Sequence, residues 1–154
     1  MTLKIVTASP VFTPAAYASG DAIGGLLTFS NVVSPFEPSF RICDAILIDA
    51  AKQSAYVRMV CFDRAFTPTA DNAPFDPTDA DLQYCIGWVA WAAADYAALS
   101  DNSVAQKGGD LGALFGKWMR LVDGGTDLFA QLVSYGTPTY VAATDLTIKL
   151  LIET

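Results

Sequence analysis

The sequence predicts an all-β fold: an antiparallel β-sandwich or jelly-roll-like barrel with long loops and at most one short helical turn. Three observations point there. Apolar residues recur at every second position in several short segments, the spacing that lines one face of a strand. Eight such segments are separated by turns rich in proline, glycine or aspartate. No segment keeps an apolar helical spacing over the length of a stable helix.

The elements follow in order. Leu3–Ala8 opens the series, with Leu3 and Ile5 alternating against Lys4. Residues 9–18 hold Pro10 and Pro14 and are expected to run extended, because proline cannot donate to a sheet ladder. Strand candidates follow at Ala22–Phe29 and 40–48. Between them, Ser34, Pro35, Phe36, Glu37, Pro38 and Ser39 form an aromatic-bearing loop whose turns are set by proline. Residues 56–62 put Val57, Met59 and Cys61 on one side and Tyr56, Val60 and Phe62 on the other. Such a strand is either central and covered twice, or completed by a partner chain.

Residues 67–77 contain Pro68, Pro74 and Pro77 and predict a long irregular crossover. Thr78, Asp79, Ala80, Asp81 and Leu82 then read as a single capped helical turn, since threonine or aspartate accepts from the first free amides. Strand alternation resumes at 84–91, with Trp88 and Trp91 three apart and so on opposite faces. The alanine-rich stretch 91–99 is too short for an independent helix and reads as a strand end followed by a turn. Candidates at 114–122 and 128–135 flank Asp123, Gly124, Gly125 and Thr126, a composition that suits a hairpin. The clearest strand comes last: Leu146, Ile148, Leu150 and Ile152 share one face, and Asp145, Thr147 and Lys149 the other. No repeat or linker divides the 154 residues, so a single domain, 1–154, is expected.

Composition narrows the function. Hydrophobic residues make up 53% of the chain and charged residues 16%, which excludes disorder. It also leaves more apolar side chains than one small core hides, and interfaces between permanent subunits absorb such an excess. Net charge is −7, from 9 basic and 16 acidic residues. Phosphate backbones and anionic membranes attract basic patches, so neither nucleic acid nor membrane is an expected partner. No run approaches the roughly 18 uninterrupted apolar residues of a membrane span. The first residues lack the long apolar segment of a secretory signal, so the protein is expected to stay in the cytosol unless a larger particle carries it. Cys43, Cys61 and Cys85 are odd in number and sit in apolar runs, which predicts free thiols packed as small hydrophobes.

The reactive residues point the same way. The chain has no histidine, the commonest general base and metal ligand. Asp71, Asp76, Asp79 and Asp81 crowd one segment, but they lack the spacing, turn glycine and closing glutamate of a calcium loop. Turn and cap roles account for them, and no metal or cofactor is expected. Acids such as Glu37 and Glu153 form no recognisable catalytic pair. Gly20, Gly24 and Gly25, like Gly108, Gly109 and Gly112, lack the Lys-Ser/Thr pair of a phosphate loop and read as turns or close backbone contacts. The expectation is a protein that is not an enzyme. Exposed tryptophan offers a different reading, a surface that stacks on a sugar ring; Trp88, Trp91 and Trp118 are its candidates.

Several segments resemble a group of small virion proteins of tailed bacteriophages. Ala16, Tyr17, Gly20, Asp21, Gly24 and Gly25 are similar to an A-Y-x-x-G-D-x-x-G-G stretch near their N-terminus. The aspartate-rich crossover from Phe66 to Leu82, with the Gly87 strand after it, looks like their middle section. Gly136, Thr137, Pro138, Thr139 and Tyr140, followed by Asp145, Leu146, Thr147 and Ile148, are similar to their closing strand. The resemblance implies a β-rich structural protein made in the host cytoplasm and carried on the virion, where it decorates or cements the capsid surface. Its implied partners are the major capsid protein and further copies of itself, as a trimer or another small homo-oligomer. It brings no catalytic residues. The chain departs from the group in the loop from Ser34 to Phe40 and in the glycine-rich segment from Asp101 to Gly112. A tail or baseplate component, and a carbohydrate- or receptor-binding module, remain alternatives. Val11, Phe12, Tyr17 and Phe36, on loops outside the strands, are the expected intersubunit contacts.

Overall fold

A computed structural model describes residues 2–108, 117–122 and 124–154. Among them the order is β1 (Leu3–Ala8), β2 (Ala15–Ala16), β3 (Ala22–Phe29), β4 (Ser39–Asp49), β5 (Val57–Phe62), α1 (Asp79–Leu82) and β6 (Cys85–Trp91). A 3-10 turn (Ala93–Asp95) precedes β7 (Tyr96–Ala98), β8 (Ser103–Gly108), β9 (Met119–Arg120), β10 (Leu128–Ser134), β11 (Thr139–Tyr140) and β12 (Leu146–Glu153). The fold is all-β, and its strand pairs are antiparallel. Thr78 caps α1 by accepting from the Asp81 amide at 3.1 Å. The 3-10 turn is a second short helical element; the Asp95 carboxylate accepts from the Ala92 amide at 2.6 Å and closes it.

Two sheets enclose one core. The larger runs β1-β12-β4-β8-β7, with β9 beside the start of β4; the smaller runs β3-β10-β5-β6. From β12, Leu146, Ile148, Leu150 and Ile152 all point inward, the face that alternation predicts. Val57, Met59 and Cys61 of β5 meet them from the opposite layer. Each such side chain, fully buried, stabilises the fold by about 1.5–3 kcal/mol. Trp91 crosses between the layers, its indole N–H donating to the Ala45 carbonyl of β4 at 3.2 Å. Cys43, Cys61 and Cys85 are free thiols; Cys61 is buried and the other two half-buried.

Two expectations change. The composition at Gly124 and Gly125 does form a turn, with the Gly125 amide donating to the Val122 carbonyl at 2.8 Å. It is not a hairpin, because β9 pairs with β4 while β10 pairs with β3 and β5, so the chain crosses between sheets there. Of the candidate strand 114–122, residues 114–116 lie outside the described residues, as do Asp123 and the glycine run 109–112. In β1 the alternation has the opposite phase: Val6 is buried, whereas Leu3 and Ile5 face outward. Lys4 lies on the inner side and donates to the Asn31 carbonyl at 2.5 Å, which keeps its charge out of the core.

Candidate interaction surfaces

The loop 63–78 runs over the outer face of the four-stranded sheet and roofs much of it. Phe66 stacks on Phe62 with ring centroids 3.9 Å apart. Gln131 of β10, fully buried, donates to the carbonyls of Gly24 and Thr69 at 2.8 and 2.6 Å and accepts from the Thr69 amide at 3.0 Å. Asp71 accepts from the Tyr17 hydroxyl at 2.8 Å, the Gly24 amide at 2.7 Å and the Thr13 amide at 2.8 Å. One carboxylate thus fastens the crossover, β3 and the N-terminal arm together. Burial, reinforced by Asp71, pushes the Tyr17 phenol well above its ordinary range.

The glycine-aspartate stretch is part of the same clasp. Gly24 has φ +70°, and a Cβ there would lie 2.9 Å from Pro10 Cβ and 3.0 Å from the Val11 carbonyl oxygen. Asp21 accepts from the Ala18 amide at 2.7 Å, and the Phe75 amide reaches the Gly20 carbonyl at 2.8 Å. Two aspartates of the crossover, Asp71 and Asp81, therefore bond within the chain itself, Asp81 accepting from the Thr78 hydroxyl at 2.9 Å. Among the described residues, no three His, Cys, Asp or Glu side chains gather as a metal site.

The four expected contact residues divide into two pairs. Phe12 and Tyr17 are buried in the chain's own core, where both pack on Tyr140 with centroids 5.5 and 5.9 Å away. Aromatic burial together with the Asp71 bond draws the arm inward. Val11 and Phe36 point out, 84% and 92% exposed.

Part of the four-stranded sheet escapes the roof. There Arg58 of β5 lies over the rings of Trp88, at 5.2 Å, and Tyr135, at 4.5 Å. Its guanidinium donates to the hydroxyls of Tyr56 and Tyr135 at 3.1 and 3.3 Å. Trp88 is 41% exposed while Trp91 is fully buried, the opposite facing that their spacing requires.

The six-stranded sheet has a different outer face. Leu3 and Ile5 are 60% and 67% exposed on β1. Beside them, Ile5, Ile46 and Leu151 line a depression of about 130 Å³, together with Asp44 and Lys149. Toward the β9 end, Arg41 binds Glu153 and lies 5.5 Å from the ring of exposed Trp118. The Arg41 hydrogen bond holds the Glu153 carboxyl below its ordinary range. No described segment roofs this face as 63–78 roofs the other. Leu3, Ile5, Ile46, Leu151 and Arg58 were not singled out from the sequence as contact residues. The signal available was strand phase, which needs the pairing partner to read.

No protein-family model matches the chain, and no curated protein matches it.

Proposed function

We propose that this chain is a structural assembly protein of a tailed-phage particle that decorates or cements the capsid shell through contacts with the major capsid protein and with itself. The observation that carries the reading is the uncovered outer face of the six-stranded sheet, where Leu3 and Ile5 are exposed and Ile46 and Leu151 lie half-buried beside them. Contiguous apolar surface of this kind marks a place for another macromolecule. The virion setting is supported by the resemblance of the stretch at Ala16–Gly25, the crossover and the closing strand. In purified virions the chain should be present in copies comparable to the major shell protein, and particle images should show it on the shell. A few copies at the tail would replace this reading with that of a tail or baseplate component; absence from the particle would end it.

One observation favours a second reading. The platform of Tyr56, Arg58, Trp88 and Tyr135 pairs partly exposed aromatic rings with hydrogen-bond donors, the composition of a sugar-binding surface. Binding to a glycan panel that is lost on Trp88→Ala supports it. Absence of any glycan signal removes it.

A further inference from the structure

Two features of this chain form a knob and a depression on different surfaces. The first is the tip of the loop between β3 and β4. Phe36 is 92% exposed there, flanked by Pro35 and Pro38. The Glu37 amide donates to the Ser34 carbonyl at 3.1 Å and the Phe36 amide to Ser34 Oγ at 3.3 Å, which closes the turn. A ring held out on a pre-formed turn loses little freedom when it is buried. The second feature is the depression lined by Ile5, Ile46 and Leu151, about 130 Å³ in volume.

Each has a charged side chain beside it that makes no ion pair among the described residues. Glu37 follows Phe36 directly, and its carboxylate has no partner among the described residues. At the depression, Asp44 already accepts from Gln106 Nε2 at 2.5 Å and from the Ala45 amide at 2.8 Å. Lys149 lies beside it with no partner among the described residues. The tip thus offers a carboxylate without an ion pair, and the depression an ammonium without one, Lys149, beside the hydrogen-bonded Asp44 carboxylate. They cannot meet within one copy: β4 runs seven residues from Ser39 to Ile46, roughly 23 Å at strand rise.

We propose that a second copy of this chain inserts its Phe36 into the depression and pairs its Glu37 with Lys149. The inference rests on the assembly reading above and deepens it by naming a sister copy as one occupant of the uncovered face. Tip and depression are different surfaces, so the contact repeats head to tail until it closes in a ring, or is made twice across a two-fold axis.

Sedimentation equilibrium tests this on the purified full chain, with melting curves confirming that each variant folds. Phe36→Ser, Glu37→Lys and Lys149→Glu should each weaken self-association by about tenfold or more. Glu37→Lys combined with Lys149→Glu should restore most of it, a rescue that loss of fold or general stickiness does not produce. A wild-type chain that stays monomeric at micromolar concentration overturns the proposal. So does Phe36→Ser associating unchanged, or a double swap as weak as the single changes. If self-association fails these tests while the chain still co-purifies with particles, the sister-copy contact falls and the assembly reading stands. If the chain is also missing from particles, both fall.

Discussion

The outer faces of the two sheets meet different fates. Over the four-stranded sheet the chain lays its own crossover, which covers Phe62 with Phe66 and is fastened by Asp71 and Gln131. Over the six-stranded sheet no described segment is laid, and Leu3 and Ile5 stay in water. Covering the first face uses buried polar groups whose hydrogen bonds fix where the roof sits. Leaving the second bare forgoes burial that this chain evidently has the means to provide. The difference teaches that the chain covers much of one outer face with its own crossover and leaves the apolar side chains of β1 on the other in water, which is the ground for the proposed contact there.

Breaking the roof should cost most. Asp71→Ala leaves the Tyr17 hydroxyl and the Gly24 and Thr13 amides without their acceptor, and stability in denaturant should fall by about 3 kcal/mol. Gly24→Ala forces a side chain into left-handed backbone against Pro10, and should cost about 2 kcal/mol. Both variants should also lose hydrogen-exchange protection at 63–78 before the rest of the domain; uniform loss would mean that the roof is not a separate unit.

The bare face responds to pH through Glu153. Its pKa is lowered on folding by Arg41. The stabilisation is therefore complete above the unfolded value of about 4.3, and is lost as pH falls through the lower folded value. Comparing wild type with Arg41→Gln across acid pH isolates it: the gap between their melting temperatures should shrink on acidification, and a widening gap contradicts the assignment. Asp49 has the opposite sign, since burial raises its pKa, so protonating it strengthens the fold as pH falls. The smallest effect belongs to the platform. Trp88→Ala should change stability by about 1 kcal/mol or less, because the ring is partly solvated.

Much of the fold was readable from residue order, and the reasons for the gaps are physical. β12 and β3 were readable because large apolar residues mark one face without ambiguity. β8 was not, since its buried positions are Ser103 and Ala105, too small and polar to show a period. The phase of β1 could not be read from Leu3 and Ile5, because which side faces the core depends on β12 pairing through Leu151 and Leu150. Phe12 and Tyr17 looked like loop aromatics free to reach outward. Asp71, more than fifty residues away in sequence, pulls Tyr17 in, and that pairing leaves no local trace. Phe36 was readable because two prolines hold it away from either strand.

The account stands on the uncovered face being a contact surface. Leu3→Thr with Ile5→Thr keeps side chains suited to a strand while removing apolar area from the outside of β1. Melting and sedimentation should be measured on the same samples. The double variant should melt within about 1 kcal/mol of wild type yet lose assembly at concentrations where wild type assembles. Unchanged assembly in the variant, or a wild-type chain content as a monomer, would contradict the account.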